Sequence, residues 1–319
     1  MTRDEKHLNK LTNVVFEPVF ILGVHRSGTS ILYKMLAATG VFNTVTAYHL
    51  LQYHELLYNY HEKKEVEAKQ QLTESFLKNG LRDRGIDQLK VTADFAEEYG
   101  FLLATRTMRM SITRKNVDLF EEMCKKIQFI SGNQKPLLLK NPYDFNNFLI
   151  IKQMFPSARF VFIHRHPQKT ISSLVKAMRT ILDEKNPYTT RLSKVYDQWY
   201  SNPLLLYPLR FVFKRMPECS VVLLTNITAR MTHYYIKNIK KLSEEDYISI
   251  TYEELCTFPS ETLRRIMNKL GVSPISTIDT RSLMKPRKGD IDPSVRKLHR
   301  YIYDLMRSYF EQFGYSNWK

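Results

Sequence analysis

Residues 19–30, VFILGVHRSGTS, constrain the chain more than any other stretch. An apolar run rich in β-formers meets Gly23, and Gly28 then opens a segment with helical spacing. A glycine turn between a strand and a helix points backbone N–H groups and the positive end of the helix dipole at a single point in space, where an anion is held. The spacing matches the phosphate-cradling loop G-x-x-x-x-G-K-[ST] at every position but one, because Thr29 stands where the lysine belongs. That lysine normally neutralises β- and γ-phosphates beside a Mg²⁺ held by a strand-end aspartate. The apolar runs PLLLK and SVVLLT lead instead into Asn141 and Asn226, and Arg26 puts its cation inside the loop. The loop therefore suits a less highly charged phosphoester bound without metal. A phosphosulfate fits, since its sulfuryl end carries one negative charge and its bridging oxygen needs only fixed cationic and amide donors as it leaves.

Strand-like runs at 14–23, 136–140, 158–164, 220–225 and 247–252 alternate with helical patterns at 30–39, 48–79, 114–130, 143–155, 167–182 and 259–270, and Gly271 follows the last as a C-cap. This alternation predicts an α/β fold of the P-loop type, a central parallel sheet with helices on both faces. The polar residues at the strand ends, His25-Arg26, Lys140-Asn141 and Arg165-His166, then share one rim. No repeat or low-complexity linker divides the 319 residues, so 1–319 is expected to be a single domain, with 41–135 a mainly helical region on the acceptor side. Lys and Arg number 48 against 32 Asp and Glu, a net +16 that suits an anionic ligand, an acidic substrate or an anionic membrane surface. Three scattered cysteines show neither a disulfide framework nor zinc-ligand spacing. A charged N-terminal stretch without a signal-like apolar core, and no apolar run of about 18 residues, lead us to expect a cytoplasmic protein.

The motif HRSGTS after an apolar strand resembles the 5′-phosphosulfate loop of sulfotransferases that use 3′-phosphoadenosine 5′-phosphosulfate (PAPS). It resembles in particular the R-S-G-T-[TS] branch, which includes tyrosylprotein sulfotransferases and many bacterial enzymes. The stretch 137–174 is similar to the family's 3′-phosphate region, in which a strand ends in Arg and a Ser follows eight residues on; Arg165 and Ser173 have that spacing. The segment YEELCTFPSETLRRIMNKLGV (252–272) resembles a further family block that places Tyr252 at a strand end, and KPRKGD (285–290) resembles the basic loop that closes over the nucleotide. The resemblance implies that Arg26, Ser27, Gly28, Thr29 and Ser30 bind the 5′ side, Arg165 and Ser173 the 3′-phosphate, and Tyr252 with Arg287, Lys288 and Gly289 the rest of the nucleotide. Lys285 is an alternative contact.

Sulfuryl transfer needs charge stabilisation on the leaving oxygen and a base for the acceptor proton. Arg26 and Lys140 are expected to supply the first. The glutamate that the tyrosylprotein branch carries about twenty residues past the loop arginine falls near Ala47 here, so that correspondence fails. Candidates for the base are His49, His54 and Glu55, with Asp94, Glu97 and Glu98 in TADFAEEYGFLL; His49 and Glu97 lead. The expected acceptor is a hydroxyl, or an amine, of a small metabolite, glycan or lipid. The stretch 202–217, with Arg210, Lys214 and Arg215 among apolar residues, is either a helix able to touch a lipid surface or a buried helix with basic ends. The competing readings are a P-loop nucleotide kinase or NTPase, and a non-enzymatic basic protein that binds nucleic acid or membrane. No nucleic-acid-binding signature is present.

Overall fold

The computed structural model describes residues 2–81, 91–132, 134–273 and 290–315. Its centre is a sheet of five parallel strands: β1 (Pro18–Leu22), β2 (Asn43–Thr44), β3 (Leu137–Lys140), β4 (Arg159–His164) and β5 (Tyr247–Thr251), in the order β2-β3-β1-β4-β5. The three central strands are apolar almost throughout because both their faces are covered. Val19, Ile21, Leu138, Val161 and Ile163 face one way, against Leu32, Leu36, Leu263 and Ile266 of the helices Thr29–Ala38 and Pro259–Lys269. Phe20, Leu22, Leu137, Leu139, Phe160 and Phe162 face the other, against Phe120, Ile127, Phe148 and Tyr235. The period of two along each strand thus separates two cores, as the α/β expectation requires.

A third cluster lies in a helical layer made by Pro167–Asp183, Pro203–Arg215, Pro217–Asn238 and His299–Gln312, through residues such as Val175, Phe213, Val221, Ile302 and Tyr309. Here the sequence expectation is corrected, because 220–225 is not a strand but lies within the helix Pro217–Asn238. Pro217 suits its first turn, and Val221, Leu224, Thr225, Thr228, Thr232 and Tyr235 are buried at three- and four-residue spacing while Val222 and Leu223 face out. Burial along a 22-residue helix overrides the local β-propensity of SVVLLT.

The pattern 48–79 is likewise three helices, Ala47–Leu51, Leu56–His61 and Glu65–Lys78, with Lys63 in the left-handed region (φ 57°) marking one break. The two-residue strand β2 has no propensity signal and owes its place to pairing with β3. No helix of the described residues is long and apolar enough to cross a membrane.

Candidate active site

The chain runs from β1 through β2 to β3 on one side and then places β4 on the other, so the carboxyl end of β1 is the switch point where open parallel sheets form their crevice. The loop 23–28 sits there. A Cβ on Gly23 would lie 2.5 Å from both the Ile163 carbonyl oxygen and Ser27 Oγ, so the turn presses directly on β4. Gly28, with φ +106°, immediately precedes Thr29–Ala38; a Cβ on it would lie 2.4 Å from the Tyr252 ring. Between them Arg26 takes φ 70°, a left-handed geometry that costs a non-glycine residue on the order of 1 kcal/mol and is found where the surroundings impose it.

Those surroundings are the second motif. Arg165 Nη1 donates to the Arg26 carbonyl at 2.9 Å, and Arg26 Nε donates to Ser173 Oγ at 3.0 Å. The Arg165 guanidinium also lies over the Tyr252 ring, 4.4 Å from its centroid, which fixes the plane of the fork. Burial pushes the Tyr252 phenol up to about 12, so it stays protonated near neutral pH. Arg26, Ser27, Gly28, Thr29, Arg165, Ser173 and Tyr252 are therefore gathered at one end of one sheet. Ser27 Oγ and Arg165 Nε are buried without a hydrogen-bond partner among the described residues, two donors of the kind an anionic phosphoester satisfies.

Across β1, Lys140 ends β3 and is buried, with Nζ 3.0 Å from a Glu98 carboxylate oxygen and 3.1 Å from Ser30 Oγ. Glu98 reaches this point because the next residue, Tyr99, donates through its hydroxyl to Asp144 at 2.6 Å, and Asn141 Nδ2 donates to the same carboxylate at 2.8 Å. His25 is half-buried beside them with its ring edge on Tyr143, centroids 4.4 Å apart. Desolvation lowers its pKa, with Lys140 and Arg26 adding to the effect and Glu98 opposing it, so the imidazole is neutral near pH 7.

The other sequence candidates lie elsewhere. Glu97 is fully buried, and accepts from the Tyr188 hydroxyl at 2.9 Å and from the Glu98 backbone N–H at 3.0 Å. His49 closes a capping box, its Nδ1 accepting from the Thr46 backbone N–H at 3.1 Å. Burial and the nearby Lys69 hold its imidazole down at about 3. Glu55 pairs with Arg3, Asp94 with Lys69, and the His54 carbonyl accepts from Asp4 N–H. Lys285, Arg287, Lys288 and Gly289 lie outside the described residues. Their chain neighbour Asp290 accepts through its carbonyl from Lys176 Nζ at 2.6 Å, and Asp292 N–H donates to Ser172 Oγ at 2.8 Å, beside Ser173. His25 went unselected at the sequence level because only the fold brings it to Glu98.

A parallel sheet with a glycine loop at its switch point and cations on both flanks is an architecture of the P-loop type. The profile described as "Sulfotransferase family" matches residues 18–213, more than half the chain, and the chain belongs to that family. Solved structures share its fold, two mycobacterial sulfotransferases among them. The sulfotransferase STF9 from Mycobacterium avium superposes with TM-score 0.66 at 15% identity, covering 97% of this chain and 80% of that one. The sulfotransferase STF1 from Mycobacterium tuberculosis gives 0.61 at 13% identity, covering 95% and 80%. No curated protein sequence matches the chain.

Proposed function

We propose that this chain is a PAPS-dependent sulfotransferase acting on a hydroxyl of a small metabolite, glycan or lipid. The observation that carries the proposal is the meeting of two motifs 139 residues apart through the Arg165–Arg26 hydrogen bond. One loop then grips the 5′ end and the other the 3′-phosphate of a single adenosine donor. Gly28 and Thr29 offer backbone N–H groups, and Ser27, Thr29 and Ser30 offer hydroxyls, to the 5′-phosphate, the Ser27 N–H being held by the Val24 carbonyl within the loop. Arg165 and Ser173 take the 3′-phosphate, the Tyr252 ring backs Arg165, and Arg287, Lys288 and Gly289 close over the nucleotide. The tie of Asp290 to Lys176 supports this last assignment by placing the residue that follows Gly289 in sequence on the helix that carries Ser173. The bound donor supplies the sulfuryl group.

Glu98, rather than His49 or Glu97, is the base in this proposal. His49 spends its Nδ1 on a helix cap, and Glu97 is turned to Tyr188. Glu98 stands on the Lys140–Ser30 side of the loop. Its carboxylate takes the acceptor's O–H proton as that oxygen bonds to sulfur. The bond from sulfur to the 5′-phosphate breaks, and Lys140 and Arg26 stabilise the charge left on the bridging oxygen. Thermal shift with adenosine 3′,5′-bisphosphate, against ATP or GTP with Mg²⁺, tests the reading. Stabilisation by the bisphosphate alone is expected. Metal-dependent stabilisation by a triphosphate would favour a kinase or NTPase, and no response to either would favour a non-enzymatic basic protein. Transfer of labelled sulfate to a panel of alcohols then identifies the acceptor.

A further inference from the structure

Among the described residues, eight of the sixteen large apolar side chains most exposed to solvent fall between Leu204 and Ile227, so the exposed apolar surface is concentrated rather than scattered. They lie on two consecutive helices. On Pro203–Arg215, Leu204 (85% exposed), Tyr207 (64%) and Phe211 (58%) form an outer stripe at three- and four-residue spacing, while Leu206 and Phe213 point into the core. On Pro217–Asn238, Val222, Leu223 and Ile227 form a second outer stripe opposite Val221, Leu224 and Thr228. Met216 is exposed at the corner that joins them.

The helix Pro203–Arg215 is stapled down at its polar positions, so the exposure is fixed. Arg210 Nε donates to the Leu182 carbonyl at 2.7 Å, and Arg179 Nε donates to the Phe213 carbonyl at 3.1 Å. The charges on the two helices are mostly basic. From 203 to 238 the sequence contains Arg210, Lys214, Arg215, Arg230 and Lys237 but only one acidic residue, Glu218, which is paired with Lys297 at 2.9 Å. Lys214 is paired with Asp183, whereas Arg215 and Arg230 are exposed and have no ion-pair partner among the described residues.

We infer that this two-helix face docks on an anionic lipid surface, with the Leu204–Phe211 and Val222–Ile227 stripes entering the headgroup boundary and Arg215 and Arg230 meeting the lipid phosphates and carboxylates. Apolar stripes rimmed by cations on a surface-lying helix are the composition such boundaries retain. A second copy of the chain fits the face less well, because a two-fold contact would set each basic rim against its own kind. The inference does not depend on the proposed reaction.

Co-sedimentation of the full chain with phosphatidylcholine vesicles, and with mixed phosphatidylcholine–phosphatidylserine vesicles, tests it. The expected result is binding to the mixed vesicles at least about tenfold stronger than to the neutral ones, weakening as salt rises. Arg215→Gln with Arg230→Gln should weaken it roughly 25-fold, about fivefold per cation removed. Phe211→Glu should abolish it while leaving the melting temperature without vesicles at the parent value. Equal binding to both vesicles, or binding to neither, overturns the inference. So does a concentration-dependent dimer in sedimentation velocity that Phe211→Glu dissolves, since the face would then belong to a second copy.

Discussion

Replacing Glu98 by Gln, and separately Lys140 by Met, distinguishes holding a cation from accepting a proton. At 3.0 Å the pair attracts by about 5 kcal/mol at an effective dielectric of about 20. Desolvation offsets much of this, since the Lys140 side chain is 1% exposed and that of Glu98 11%. Lys140→Met strands a nearly buried carboxylate and should lower stability by about 3 kcal/mol, roughly 5 °C in Tm for a chain of this size. Glu98→Gln is milder, about 1–2 kcal/mol, because its amide oxygen still accepts from Lys140 Nζ. The double substitution should recover at least about 1 kcal/mol of the summed losses, as expected for residues in contact. Turnover separates the roles. If Glu98 takes the acceptor proton, Glu98→Gln lowers kcat by about 10²–10⁴ and leaves bisphosphate affinity within about twofold. Single-turnover transfer of labelled sulfate, with calorimetric titration of adenosine 3′,5′-bisphosphate, reads both. A kcat within about threefold of the parent, or equal losses in turnover and affinity, refutes the assignment.

Arg165→Ala should weaken adenosine 3′,5′-bisphosphate about 10²-fold more than it weakens adenosine 5′-monophosphate, whose smaller loss comes from releasing the Arg26 carbonyl, since one charged fork to the 3′-phosphate is lost. Calorimetry showing an unaltered preference removes Arg165 from that role. Gly28→Ala combines a φ of +106° with a 2.4 Å approach to Tyr252, so it should lower stability by at least about 2 kcal/mol and abolish nucleotide binding; a parent-like melting curve and affinity would contradict the loop geometry. Burial holds His49 and His164 at about 3, and burial, Lys169 and Arg165 hold His166 at about 4, whereas the unfolded chain protonates each near 6.5. Stability is therefore full above about pH 6.5 and falls as pH drops, by about 1.4 kcal/mol per unit per group until the folded values are reached. Tm recorded from about pH 7 to about pH 5 should fall steeply, and His164→Gln should remove its share of the slope; a flat profile counts against all three.

What the sequence made legible follows the range of the forces involved. β1, β3 and β4 are readable because burial on both faces demands a near-continuous apolar run, the half-buried edge strand β5 because its β-branched and aromatic residues suit a pleated surface, and the cradle because the loop's glycine positions obey local sterics. SVVLLT misleads for the same reason: a run of β-formers states that a segment is buried, and whether it is buried on a strand's two faces or on one side of a long helix is decided by Tyr235 and Val221 meeting distant partners. β2 is invisible because two residues pair with β3 only once the sheet exists to receive them.

The site divides along the same line. Arg26 and Arg165 follow the ends of β1 and β4, and Ser173 lies in the second turn of the helix after Arg165, so local strand and helix signals already mark where each sits. The acid–base side is not so encoded. Glu97 and Glu98 are adjacent and chemically identical, and the fold alone sends one to Tyr188 and the other to Lys140. His49 carries the more suitable intrinsic pKa, yet its Thr46 cap and its burial remove the advantage. Composition ranks possible bases by intrinsic acidity, whereas the fold ranks them by which face of a turn they leave from. In this chain Tyr99, anchored on Asp144, sets that face for Glu98.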